Sequence, residues 1–115
     1  MKIKICLAGA AGHVGRELVK AILDADDLQL VSAVGKTSAG KRLSEITGDA
    51  RAGIVVHKSV AEALAAMPAD VFIDYTKSDA VKANVQAAIA EGCHAVIGTS
   101  GLTDAERRDE RERIV

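Results

Sequence analysis

Apolar runs and amphipathic stretches alternate along this chain, and their spacing predicts strands and helices in turn. Met1 to Ala8 is a short, isoleucine-rich run that stops at Gly9, as a buried strand would. Val14 to Ala25 then places Val14, Leu18, Ala21, Ile22 and Ala25 at helical spacing, with Glu17 and Lys20 off that face. Asp26-Asp27 breaks the pattern, and Leu28 to Val34 is β-rich again. Gly35 to Ala52 is a polar, glycine-containing connection with room for a short helix around Leu43 to Ile46, and Ile54 to His57 is a brief strand. Ser59 and Glu62 carry the spacing of a capping box, so a helix is expected from Val60 to Met67, stopped by Pro68. Val71 to Asp74 is a strand of the buried type. Ser78 or Asp79 caps the next helix, which ends at Gly92, a residue suited to a left-handed helix terminus. His94 to Ile97 is a further strand, followed by a turn at Gly98-Thr99-Ser100-Gly101. Thr103 and Glu106 then open a highly charged helix that runs to Val115.

Apolar strands alternating with crossover helices imply a parallel sheet covered on both faces. Right-handed crossovers then favour a Rossmann-type, doubly wound α/β sheet of about five strands in the order 3-2-1-4-5. The last helix offers only Ala105, Ile114 and Val115 as apolar contacts, and no strand follows it, so the fold reads as truncated.

The composition narrows the function. With 115 residues, residues 1–115 make one domain, large enough to bury a core without staples. A net charge of -1 with interspersed signs supplies no field that would gather nucleic acid or an anionic membrane surface. Phe72 and Tyr75 are the aromatic residues, too few for a base-stacking platform. The apolar run near the N-terminus ends in glycines well short of a signal or membrane helix, so no membrane partner is expected. Cys6 and Cys93 both lie in or beside strand-like runs and read as buried thiols, which fits a reducing cytoplasm. His57 and His94 read as structural, and no Cys/His pair has metal-ligand spacing, so no metal is expected. Asp104 to Arg113 reads as a solvated helix face of paired charges.

The strongest chemical signal is Gly9-Ala10-Ala11-Gly12-His13-Val14-Gly15, placed between a first strand and a first helix. There Gly9 permits the tight turn, Gly12 lets a pyrophosphate approach the backbone, and Gly15 lets the helix pack close to the strand. The first amides and the dipole of the helix then favour the anion. A domain that prefers NAD usually carries an acid about 20 residues further on, bonded to the ribose 2′-hydroxyl. Gly35 stands at that point, followed by Lys36, Thr37 and Ser38. A cation without a neighbouring carboxylate suits a 2′-phosphate, so NADP(H) is favoured as the cofactor and NAD(H) is possible. Two strand ends, Phe72-Ile73-Asp74-Tyr75-Thr76 and Gly98-Thr99-Ser100-Gly101, fall where open α/β sheets bind ligands, and the small residues of the second would let a nicotinamide ring lie against backbone.

The segments AGAAGHVGREL, FIDYT and VIGTSG, in this order and at these distances, resemble the N-terminal domain of the 4-hydroxy-tetrahydrodipicolinate reductase (dihydrodipicolinate reductase) family of lysine and diaminopimelate biosynthesis. The resemblance spans essentially the whole chain. It implies a reductase that transfers hydride from NADH or NADPH to a cyclic dicarboxylate. It further implies that Gly9, Ala10, Ala11, Gly12, His13 and Val14 hold the pyrophosphate and that Lys36 lies near the adenosine ribose. Thr76, Gly98, Thr99 and Ser100 would line the nicotinamide. The sequence departs from the family at His13 and Val14, where Arg and Met are common, and at Gly35, where many members have an acid. The family's C-terminal substrate domain, with its histidine-rich segment and catalytic lysine, is expected to be absent from these 115 residues. This chain is therefore expected to bind cofactor, to meet the dicarboxylate substrate only together with that domain, and to be inactive alone. Two other readings stand beside it: a free-standing NADP(H)-binding regulatory module, and the cofactor domain of another dehydrogenase or a CoA-binding domain of similar fold. The FIDYT and GTSG pair favours the reductase, and a CoA-binding domain has no need of Lys36 at the ribose position.

Overall fold

The computed structural model describes residues 2–76 and 78–98. Thr99, Ser100, Gly101 and the helix expected from Thr103 lie outside the described residues. Within them the chain runs β1 (Ile3–Ala8), α1 (His13–Asp24), β2 (Leu28–Val34), α2 (Leu43–Thr47), β3 (Val56–His57), α3 (Val60–Ala66), β4 (Val71–Asp74), α4 (Ser78–Ala90) and β5 (His94–Ile97). The strands form one parallel sheet in the order β3-β2-β1-β4-β5, the doubly wound arrangement that the alternating pattern predicts.

The pleat sends alternate residues of each strand to opposite faces, and both faces are covered. Ile5 and Leu7 of β1 belong to one apolar layer with Val19 and Ile22 of α1, Leu43 of α2 and Val56. Cys6 and Ala8 belong to the other, with Val60 and Leu64 of α3, Val81 and Val85 of α4, and Phe72 of β4. Small side chains at Cys6, Ala8, Ala63, Ala88 and Ala95 let the helices of this second layer approach the sheet closely. Both cysteines are buried, and neither is in a disulfide. Burial pushes the Cys6 thiol up to about 11, with the Ser32 hydroxyl opposing that rise and the Asp74 charge adding a little to it. The Cys93 thiol donates to the Ala69 carbonyl at 3.2 Å.

Local signals in the sequence recur as local structure. Ser59 Oγ accepts the Glu62 N–H at 3.2 Å, starting α3 as its capping residues predict. Gly92 has φ of 85°, and α4 ends with Cys93 N–H on the Ala88 carbonyl and Gly92 N–H on the Ile89 carbonyl, the two bonds of a Schellman terminus.

One expectation is corrected. Apolar spacing puts Val14, Leu18, Ala21, Ile22 and Ala25 on one face of α1. Ile22 is buried and Leu18 packs against the core as that spacing implies, but the helix also buries Gly15 and Val19, Ala21 is exposed and Val14 is 52% exposed. The helix is turned because Gly15 is its point of closest approach: a Cβ there would stand 1.9 Å from the Gly9 carbonyl oxygen. Close approach of backbone to backbone, which an apolar count does not register, sets the rotation. Several boundaries also move slightly, with α1 at His13–Asp24, β3 confined to Val56–His57 and α3 ending at Ala66.

Candidate cofactor site

The carboxyl ends of the strands are stitched into one edge by backbone hydrogen bonds that continue past the strands themselves. Gly9 N–H donates to Val34 O at 3.1 Å, Tyr75 N–H to Ala8 O at 3.0 Å, Gly98 N–H to Asp74 O at 2.9 Å, and Gly35 N–H to His57 O at 2.9 Å. The structure thereby gathers along this edge Gly9, the loop that follows it, Lys36, Thr76 and Gly98. In open α/β sheets this edge is where ligands bind.

The glycine loop is shaped by three glycines with different reasons for being glycine. Gly9 has φ of +85°, and a Cβ there would lie 2.7 Å from the backbone carbonyl carbon and oxygen of Tyr75, so it is required twice over. Gly15 is required by the contact that seats α1. Gly12 differs. Its φ of -76° suits any residue, and a Cβ would meet only the Gly9 oxygen at 3.6 Å, an ordinary contact. Among the described residues nothing demands glycine at position 12, and the space above its Cα is open.

Gly12 is also the N-cap of α1, and it makes no side-chain cap hydrogen bond. The first turn of a helix carries amides without intrahelical partners and the positive end of the dipole. His13 and Val14, both exposed, flank this turn, while Ala10 is buried beneath it. Arg16, which sequence reasoning missed, donates from Nε to the Ala11 carbonyl at 3.1 Å and braces the loop from the second turn of α1. The geometry therefore fits a dinucleotide: an open Cα above uncapped amides is the shape that a pyrophosphate fills.

Lys36 is exposed in the turn after β2, beside the end of β3. Gly35 packs on Ser38, whose hydroxyl would be 2.4 Å from a Cβ at position 35, and Ser38 itself is buried. At the other end of the edge, a Cβ on Gly98 would fall 2.0 Å from Tyr75 Cζ, so the Tyr75 ring already covers that side of the Gly98 backbone. A side chain at 98 would have to displace the Tyr75 ring, whereas at Gly9 and Gly15 the obstacle is main chain. Thr76 is half-buried and donates from both its N–H, at 2.8 Å, and its hydroxyl, at 2.5 Å, to Asp74 Oδ1. Asn84 of α4 donates to Asp74 Oδ2 at 3.2 Å. Asp74 is completely buried. This pairing also escaped sequence reasoning. The signals for it were present: a carboxylate inside an apolar strand, and an asparagine beside the inward-facing Val81 and Val85.

The family model described as dihydrodipicolinate reductase, N-terminus, matches residues 3–114. The chain belongs to that family. It is 32% identical over 112 residues to 4-hydroxy-tetrahydrodipicolinate reductase of Moorella thermoacetica (strain ATCC 39073 / JCM 9320), covering 97% of this chain and 42% of that protein. It is 40% identical over 109 residues to the enzyme of the same name from Alkalilimnicola ehrlichii (strain ATCC BAA-1101 / DSM 17681 / MLHE-1), covering 92% and 40%. The chain thus spans about two-fifths of the length of the relatives it matches. Among solved structures, dipicolinate-bound dihydrodipicolinate reductase from Paenisporosarcina sp. TG-14 superposes with a TM-score of 0.78 at 23% identity, over 95% of this chain and 42% of that one. Aspartate semialdehyde dehydrogenase with NADP from Candida albicans does so at 0.74 and 16% identity, over 87% and 30%. These likenesses establish the Rossmann-type fold. Among the described residues no helix is long and apolar enough to cross a membrane.

Proposed function

We propose that this domain binds NADP(H), with NAD(H) as the weaker alternative, and serves as the cofactor half of a 4-hydroxy-tetrahydrodipicolinate reductase. The observation that carries this reading is Gly12, a glycine that none of the described residues requires, lying open above the uncapped first turn of α1. Gly9 to Val14 hold the pyrophosphate through backbone amides, and Arg16 keeps the Ala11 carbonyl turned aside. Lys36 meets the 2′-phosphate of the adenosine ribose. Thr76 and Gly98, with Thr99 and Ser100 beyond the described residues, line the nicotinamide end. The bound cofactor supplies the hydride; the domain supplies grip and orientation. A cyclic dicarboxylate fits as the acceptor wherever the family's substrate domain accompanies this one, given the dipicolinate in the related structure. Buried thiols outside any disulfide at Cys6 and Cys93 suit a cytoplasmic setting.

Calorimetric titration of the 115-residue chain with NADPH and NADH tests the reading. Gly12→Val fills the open space and is expected to abolish binding of both cofactors while the fold survives. Lys36→Ala is expected to weaken NADPH about fivefold, or ~1 kcal/mol, since an exposed pair is well screened. NADH should be left unchanged. Failure of both cofactors to bind the wild type at millimolar concentration would refute the reading. Equal losses for both in Lys36→Ala would remove only the preference for NADP(H).

A further inference from the structure

Ser38 is 8% exposed, and among the described residues its hydroxyl makes no hydrogen bond. Only its backbone carbonyl is engaged, accepting the Lys41 N–H at 3.1 Å. A hydroxyl withdrawn from most of its water without a partner costs free energy that a ligand could restore. The Ser32 oxygen, inside β2, is wholly sealed from solvent. The Ser38 oxygen is not sealed in that way, so a molecule lying on the edge of the sheet can reach it.

Backbone fixes where this hydroxyl stands. Ser38 lies two residues after Lys36, in the turn between β2 and β3. Gly35 N–H on His57 O at 2.9 Å, Gly40 N–H on Val56 O at 2.8 Å and Val56 N–H on Lys41 O at 2.8 Å tie that turn to β3 on both sides of Ser38. The Ser38 oxygen falls 2.4 Å from the place of a Cβ on Gly35. An aspartate at 35 would hold its own carboxylate oxygen at about that distance. Domains that prefer NAD carry an acid near this point to accept from the ribose 2′-hydroxyl. Here a neutral hydroxyl stands at that distance instead. A carboxylate can only accept, and it repels a phosphate, whereas a hydroxyl donates to one.

We propose that Ser38 is a specificity-determining residue for the cofactor. Its hydroxyl donates to the 2′-phosphate of NADP(H), and the bare Gly35 leaves it room to do so. This rests on the reading that the adenosine ribose lies beside Lys36. The two residues divide the work: Lys36 brings charge on a flexible stem, and Ser38 brings a donor whose position the turn has already set.

The test is the ratio of the NADH and NADPH dissociation constants, since the two ligands differ only at the 2′ position. It is measured on the wild-type chain, on Ser38→Ala and on Ser38→Cys, which keeps the size of the side chain and offers only a weak donor. Both variants are expected to lower the preference for NADPH by about tenfold, the worth of one charge-assisted hydrogen bond, and to leave NADH within about twofold. Gly35→Ala, whose methyl group would push the hydroxyl aside, should lower the same preference in the wild type and have no further effect in Ser38→Ala. A structural role for Ser38 would weaken both cofactors together and leave the ratio unchanged, and that result would overturn the proposal. So would an equal effect of Gly35→Ala in the two backgrounds, or a wild type that binds both cofactors equally. Each of these would leave the dinucleotide reading intact. Failure of the wild type to bind either cofactor would overturn both.

Discussion

The turn after β1 and the turn after β4 lie side by side on one edge of the sheet, yet they are made of different material. The first is backbone: Gly9 and Gly15 are pressed against main-chain atoms, and Gly12 stands open above amides that have no side-chain cap. The second is side chain: Asp74, Thr76 and Asn84 form a buried polar network, and the Tyr75 ring lies on Gly98. The difference lies in what supplies the polar groups: fixed amide dipoles, which suit an anion without a side chain, at the first turn, and hydrogen-bonded side chains at the second.

The sharpest way to break this contrast is Gly15→Ala. In the backbone-built turn one methyl group would sit 1.9 Å from the Gly9 oxygen, with main chain on the other side and no rotamer to relieve it. A loss of about 3 kcal/mol is expected. That corresponds to a melting temperature roughly 10–20 °C lower, as thermal denaturation would show. A drop of only a degree or two would mean that α1 is not seated through Gly15.

A smaller effect is expected in the side-chain-built turn. Asn84→Ala removes the donor to Asp74 Oδ2 and leaves a buried oxygen short of a partner. The cost is about 1–2 kcal/mol, reduced by up to roughly 0.5 kcal/mol from the better helix propensity of alanine. Urea denaturation should show the lower midpoint with an unchanged slope. An unchanged midpoint would show that Asn84 does not support the carboxylate.

The smallest effect sharpens the contrast between a buried carboxylate and an exposed one. Arg51 binds Asp49 at 2.7 Å and Asp24 at 2.8 Å on the surface, and its hydrogen bonds hold the Asp49 carboxyl down at about 2, below the ordinary 3.8. A depressed carboxyl stabilises the fold above its unfolded value, and that contribution disappears as pH falls through the folded one. The difference in melting temperature between wild type and Arg51→Ala should therefore be present at pH 5 and shrink between about 4 and 2. A difference that stays constant through that window would mean that Arg51 acts by packing rather than by charge.

Much of this protein was legible from the chain alone, because the signals concerned are local. Strand and helix alternation, the Ser59 cap, the Gly92 terminus and the position of the glycine loop each depend on residues within one turn or one strand of each other. A parallel sheet with right-handed crossovers follows from that alternation with few alternatives. Tertiary structure decided what depends on distant backbone. The rotation of α1 was settled by Gly15 meeting Gly9, which leaves Val14 and Ala21 of the expected apolar face exposed. That Gly9 and Gly15 are pressed against main chain while Gly12 is not depended on where the Tyr75 backbone, arriving from β4, and the start of α1 came to rest. The partners of Asp74 were likewise decided by docking, since Asn84 reaches it only when α4 lies on β4. Periodicity records which side chains avoid water, but it holds no information about how closely two backbones meet, and at this edge that closeness shapes the site.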